Sequence, residues 1–522
     1  MFIVHQFPNS KRQKRNANIP LLRIAIYNAF AINIVLLTSK PSRWPQLSEE
    51  LTTKSATELI ALMHAREVSP LDVVEAHLRA IERINPTINA IVTIAGDLHE
   101  RAVEAENAIM RGSAVGLLQG LPITIKDTID TAGLRTTSGS RIRARYVPQQ
   151  DAPAVARLKA AGAIVLGKTN VPEMAIPYEC DNPVFGRTNN PHKVECTAGG
   201  SSGGEAAAIA AHVSPAGIGS DLSGSIRVPA HFCGITGLKP TVGCVPMEGH
   251  TPSASGVVGL GASIGPMARH VKDVALLFRV LANSGDLEMS PKEILDAKRV
   301  SGARVAWYTE DGTTPVSGEI KQKVQSAALA LADAGLQTFE ALPPGVSKAP
   351  QLWMDLFSRA ANSEIVLLYR GREDEAGPLV SRLLRSQNEE PNEFEDRIDT
   401  AEKLAHAVVE RERLREDLLR WMKTTPLILA PVGATATFEH GRQRVDIDGT
   451  YASVFSAFSY SQAFNVFGFP SVTVPAGKTS SGLPIGVQVI GRPFEEFTML
   501  AAASIIEQAF GGWQPPALPE AG

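Results

Sequence analysis

From Leu51 onward the chain alternates between two hydrophobic spacings. Stretches with apolar residues three and four apart predict helices, and short unbroken apolar runs predict buried strands. Leu121–Ile125 is one such strand, ending in Lys126 and Asp127. Ser55-Ala-Thr-Glu58 has the form of a capping box, and Ser69-Pro70 opens an amphipathic helix expected to stop before Pro86. Ala152–Ala161 predicts a helix, and Ala163–Gly167 the strand after it. The alternation recurs with helices over Val271–Ala282, Glu319–Ala334, Arg397–Met422 and Thr498–Phe510. Strands are predicted at Val305–Tyr308, Pro426–Pro431, Ser471–Pro475 and Ile485–Ile490. The charged, turn-rich stretch Gly371–Asn392 interrupts the pattern and reads as a mobile insertion. Strands alternating with helices predict an α/β fold: a central mixed, mostly parallel sheet covered by helices on both faces. No internal repeat of fixed period is present.

Composition narrows the class. At 522 residues the chain has room for one large domain or two. Its formal charge of −3 is spread among interspersed acids and bases, so no basic field is available to draw nucleic acid. Cys180, Cys196, Cys233 and Cys244 form neither a CxxC pair nor a His/Cys metal spacing, which predicts reduced thiols in a cytoplasmic enzyme with no metal site. Residues 1–48 stand apart, with seven Lys or Arg and no Asp, Glu or Gly. A basic cluster at Lys11–Arg15 precedes an apolar run from Ile19 to Leu37 that Arg23, Asn28 and Asn33 interrupt. Targeting segment, weak membrane anchor and misassigned start all stay open for this extension, and residues 49–522 form the expected folded domain.

The densest chemistry lies between Gly199 and Pro229, where Ser201 and Ser225 sit in separate glycine-rich turns. Glycine lets the backbone turn sharply and leaves N–H groups bare around a hydroxyl, which is what a nucleophile with an oxyanion hole requires. A flexible linker would also be rich in Gly and Ser, but it would not run on into Ala206–Ala211 and Ile226-Arg227-Val228-Pro229. Lys126, at the end of an apolar strand, is suited to lose its proton and act as a base. A Ser-His-Asp arrangement competes, with His212 and His231 nearby, but no G-x-S-x-G elbow surrounds Ser225, and both histidines read as structural.

Together, G-L-P-I-T-I-K-D, the two serine turns, F-C-G-I-T-G-L-K-P-T, G-P-M-A-R and G-L-P-I-G-V-Q-V-I-G-R-P resemble the amidase signature family, from near Leu51 to near Gly511. The resemblance implies one large amidase signature domain that hydrolyses carboxylic amides without a cofactor. It implies that Ser225 is the nucleophile, Ser201 a relay in a cis peptide, and Lys126 the base. The backbone N–H groups of Leu222, Ser223, Gly224 and Ser225 would form the oxyanion hole, with Ser202, Asp221 and Arg227 in support. Ala175 and Ser201 fall at substrate contacts. An amide needs an activated oxygen nucleophile, an oxyanion stabiliser and an acid for the leaving nitrogen, and these segments supply all three. Ser223 departs from the usual glycine or alanine, and either narrows the site or adds a donor. Val171–Pro191 looks closer to general amidases and fatty acid amide hydrolases than to the A-type subunit of glutamyl-tRNA amidotransferase. The expected partner is thus a small-molecule amide, with an apolar or aryl acyl group favoured, and a homodimer is open. The alternative is the amidotransferase subunit, releasing ammonia from glutamine for a tRNA-bound partner.

Overall fold

The computed structural model describes residues 44–112, 116–282, 291–388 and 394–517. Contacts divide the chain into Met1–Leu47 and one compact unit, Ser48–Gly522. The expectations for residues 1–43 lie outside the described residues.

The early helices follow their caps. Ser55 accepts from Glu58 N while the Glu58 carboxylate accepts from Ser55 N, starting helix Ala56–His64. Ser69 and Asp72 repeat the arrangement ahead of Pro70–Ile88. This second helix runs through Pro86 instead of stopping before it. A proline so near the end forfeits one backbone bond, and the Asn85 side chain closes the terminus by accepting from Ala90 N and Ile91 N at 2.9 and 2.8 Å.

Eleven strands form one sheet. Their spatial order is Ile91–Ile94, Ile164–Thr169, Pro122–Lys126, Ala216–Asp221, Ser263–Ala268, Thr236–Lys239, Ser471–Lys478, Pro484–Ile490, Leu427–Pro431, Arg304–Trp307 and Gln337–Glu340. Parallel pairing is confined to two stretches, Ile164–Thr169 through Ala216–Asp221 and Leu427–Pro431 through Gln337–Glu340. All other neighbours pair antiparallel. The sheet is mixed, as expected, but its parallel share is smaller than expected. One reason is the connection at residues 479–483, which is too short for a crossover helix and can only reverse the chain. Helices flank the sheet: Glu496–Phe510 packs on Ser471–Lys478, and Val271–Ala282 on Ser263–Ala268. Gly203–Ala210 is buried along its whole length; its residues are small or apolar except Glu205, whose carboxylate accepts from the hydroxyls of Thr124 and Thr169.

Gly371–Asn392 is structured over most of its length. It holds a short helical turn, Glu373–Glu375, and helix Pro378–Asn388, with residues 389–393 outside the described set. Val380 and Leu384 join Met174, Ile365 and Tyr369 in a small apolar cluster of their own, which is why a segment rich in charge still packs.

Candidate active site

Neighbouring parallel strands bring the first two elements of the site together. Pro122–Lys126 and Ala216–Asp221 run side by side in register, so Lys126 emerges at the carboxyl edge beside Ser220 and Asp221. This is where open α/β sheets place ligands. Lys126 is fully buried; its Nζ lies 2.6 Å from Ser201 Oγ and 3.0 Å from Ser220 Oγ. Burial depresses the amine to about 7, although Asp221, Cys180 and Glu205 pull the other way. A base with that value exchanges protons readily near neutrality.

Ser201 follows a cis Gly200–Ser201 peptide bond. Gly200 has no room for a side chain, because a Cβ there would lie 2.5 Å from the Pro177 carbonyl oxygen. Ser202 ties the two serine turns: its N–H donates to the Ser225 carbonyl at 3.1 Å, and its Oγ lies 3.4 Å from both Ser220 N and Ser220 O.

Asp221 organises the second turn. Its buried carboxylate accepts from Gly224 N at 2.8 Å and Ile226 N at 3.1 Å, and from Arg227 Nε and Nη2 at 3.0 and 2.9 Å. Burial alone would raise this carboxyl; the Arg227 guanidinium and the converging donors hold it well below the usual carboxylate range. Arg227 also donates to Gln488 Oε1 and Asn465 Oδ1, so the pair is buried with its donors engaged. The Gly224 N–H, expected in the oxyanion hole, donates to Asp221 at 2.8 Å, whereas those of Leu222, Ser223 and Ser225 have no acceptor among the described residues. Gly224 adopts φ +104°, a value that favours glycine.

Two side chains that sequence reasoning missed hold this turn. Trp353 Nε1 donates to the Leu222 carbonyl at 2.8 Å, and Tyr178 donates its hydroxyl to the Ser223 carbonyl at 2.5 Å. In a trans peptide the C=O and N–H point opposite ways. Anchoring Leu222 O therefore turns the Ser223 N–H away from Trp353, and anchoring Ser223 O turns the Gly224 N–H toward Asp221. Ser220 and His250 were also missed; they continue the polar chain beyond Lys126, with His250 Nε2 2.8 Å from Ser220 Oγ. No local motif marks Trp353, Tyr178 or His250, because each reaches the site from a distant element. His231, by contrast, is enclosed between Gly486 N and the Thr435 carbonyl, and His212 packs edge-on against Trp513.

A cavity of about 520 Å³ opens over these groups, lined by Ser201, Ser220, Leu222, Ser223, Ser225 and Ala175. Its remaining wall is largely apolar, with Met174, Ile176, Met247, Val258, Trp353 and Phe455 among the contributors. No Arg, Lys or Glu lines it among the described residues, and Asp221 is already paired with Arg227. A larger and more polar groove of about 850 Å³, lined by Arg101, Glu104, Asp151 and Lys159, holds none of these residues. Ala175 and Met174 both have positive φ, and the Ala175 carbonyl accepts no hydrogen bond among the described residues. Behind them the buried Glu173 carboxylate accepts from Tyr369 Oη at 2.6 Å and from Gly377 N at 3.0 Å, which ties the insertion to the cavity wall. Among the described residues no group of His, Cys, Asp and Glu is arranged to hold a metal ion, and no helix is long and apolar enough to cross a membrane.

Comparison with known proteins agrees with this geometry. The chain is 34% identical over 482 residues to the A-type subunit of the glutamyl-tRNA(Gln) amidotransferase of Carboxydothermus hydrogenoformans, covering 88% of this chain and 98% of that protein. It is 29% identical over 517 residues to "Fatty-acid amide hydrolase 2-B" of Danio rerio, covering 92% and 94%. Among solved structures, a bacterial aryl acylamidase of the amidase signature family superposes with a TM-score of 0.75 at 26% identity, covering 87% of this chain and 96% of that one. The sequence profile of the Amidase family matches residues 72–500, a span that contains both serine turns and the lysine strand. The chain is a member of the Amidase family and hence an enzyme.

Proposed function

We propose that the protein hydrolyses neutral carboxylic amides with an apolar or aryl acyl group, through an acyl-enzyme on Ser225. In this reading neutral Lys126 takes a proton through the Ser201 hydroxyl as Ser225 Oγ attacks the carbonyl carbon. The N–H groups of Leu222, Ser223 and Ser225 receive the oxyanion, and the relay in reverse protonates the leaving nitrogen. Water then enters by the same base and releases the carboxylate. Ser202, Asp221 and Arg227 hold the two turns in place, and Ala175 offers its carbonyl to the substrate.

The observation that carries the choice of substrate is the cavity wall. A zwitterionic amino acid such as glutamine would leave its ammonium and carboxylate buried without charged partners, at a cost of several kcal/mol. An apolar acyl chain would instead gain about 0.8 kcal/mol per buried CH₂.

The second reading, a glutamine-deamidating component of an amidotransferase, is favoured by the names of several relatives. The deciding experiment assays the chain purified alone on a short aliphatic amide, an aryl acylamide, a long-chain amide and glutamine. We expect kcat/KM for the aryl or long-chain amide to exceed that for glutamine by at least about a hundredfold. Preference for glutamine, or turnover only with a co-purifying partner, would overturn the first reading in favour of the second.

A further inference from the structure

Lys126 Nζ has three polar neighbours within reach: Ser201 Oγ at 2.6 Å, Ser220 Oγ at 3.0 Å and the Ser220 carbonyl at 3.4 Å. A neutral amine has two N–H groups and one lone pair. For Lys126 to act as a base on Ser201, the lone pair must point at Ser201 and both N–H groups at Ser220. The Ser220 carbonyl can only accept. The Ser220 hydroxyl can donate or accept, and nothing in Lys126 itself decides which.

His250 decides it. Its Nδ1 lies 2.7 Å from the Pro252 carbonyl, which only accepts, so Nδ1 carries the proton. In the neutral ring Nε2 is then a bare acceptor, 2.8 Å from Ser220 Oγ. The single Ser220 proton goes to His250, and Ser220 Oγ turns its lone pairs toward Lys126. We propose that His250 is a positioning residue that sets the direction of hydrogen bonding through Ser220, and so turns the Lys126 lone pair onto Ser201. The inference rests on the reading of Lys126 as the base. Burial of the ring is the main reason His250 stays neutral, with its value depressed to about 4; Arg143, Lys168 and, when it is protonated, Lys126 add to this, against the pull of the Pro252 carbonyl. A protonated ring would reverse the chain: Nε2–H would donate to Ser220, and the freed Ser220 proton would occupy the lysine lone pair.

The test combines kinetics with a readout that needs no turnover. His250→Leu removes the acceptor. It should lower kcat about tenfold with KM within about twofold, and move the acid limb of the pH profile to lower pH, because the Ser220 hydroxyl then donates to the neutral amine. His250→Gln can still present an oxygen to Ser220 and should keep most of the rate. In a Ser220→Ala background His250→Leu should cost nothing further, since the link is already broken. Nitrogen-15 NMR of the histidine rings in the full chain should show His250 neutral and protonated on Nδ1 at pH 7. Equal losses in the Leu and Gln variants would overturn the inference. So would a full loss from His250→Leu without Ser220, or an Nε2–H or imidazolium ring at pH 7. A wild type that turns over no amide in the panel sinks the functional reading alone, and the ring spectrum still decides this one.

Discussion

Replacing Lys126 by methionine should make the protein inactive and, at low pH, more stable. Methionine keeps an unbranched stem that fits the same slot, so the change isolates the amine. Burial holds that amine at about 7 against an ordinary 10.5. At about 1.4 kcal/mol per unit, charging it inside the fold costs up to about 5 kcal/mol. Below pH 7 the folded and unfolded chains both carry the proton, and the whole cost is present. Between pH 7 and 10.5 the unfolded amine is charged and the folded one neutral, so wild-type stability rises by about 1.4 kcal/mol per pH unit. Above 10.5 the cost is gone. The variant also leaves the Ser201 hydroxyl without Lys126, a loss of about 1–3 kcal/mol that does not depend on pH, while Ser220 keeps His250. Measured as urea midpoints of the two proteins side by side, the advantage of Lys126→Met should be largest at pH 6 and shrink by about 3 kcal/mol between pH 7 and 9.5. A difference that stays flat across this range would refute a depressed lysine, and with it the case for Lys126 as a base near neutrality.

Three further outcomes follow from the turn that carries Ser225. Ser225→Ala should abolish both amide hydrolysis and labelling by a fluorophosphonate probe; full labelling at another serine with activity intact would move the nucleophile elsewhere. Trp353→Phe keeps the ring but releases the Leu222 carbonyl, so kcat should fall about fivefold to tenfold with little change in KM, as expected for one loosened oxyanion donor. An unchanged kcat would reduce Trp353 to a wall residue. Ser223→Gly should raise kcat/KM for bulky amides relative to a short aliphatic one if the hydroxymethyl group narrows the cavity, whereas an equal loss on both would assign the hydroxyl to the oxyanion.

What could be read in advance follows from the range of the forces involved. The capping boxes at Ser55 and Ser69, the strand ending in Lys126 and the two serine turns depend on neighbours within a few residues, and the chain alone displays them. Pro86 misled because its cost is small in a last turn that Asn85 closes from the side. The parallel share of the sheet was overestimated because alternation of strand and helix does not reveal where a strand such as Ser263–Ala268 inserts between two earlier ones. At the site, residue types were legible but directions were not. That the Gly224 N–H faces Asp221, that Trp353 and Tyr178 grip the turn, and that His250 reaches Ser220 are facts about segments up to 131 positions apart.

The Glu173 tether divides the catalytic chamber into two parts with different freedom to change. The floor, built from Lys126, the serine turns and Asp221–Arg227, is knitted into the main sheet, where a substitution disturbs many partners at once. The outer wall is carried by helices with a small apolar cluster of their own, joined to the floor side through Met174, the Glu173 carboxylate, the Tyr369–Ser140 hydroxyl pair and the Trp353–Leu222 bond. Substitutions at Val380 or Leu384 can therefore reshape the chamber while the chemistry beneath is undisturbed. Such an architecture lets a lineage explore new acyl groups by altering an appendage, with the reaction itself inherited intact.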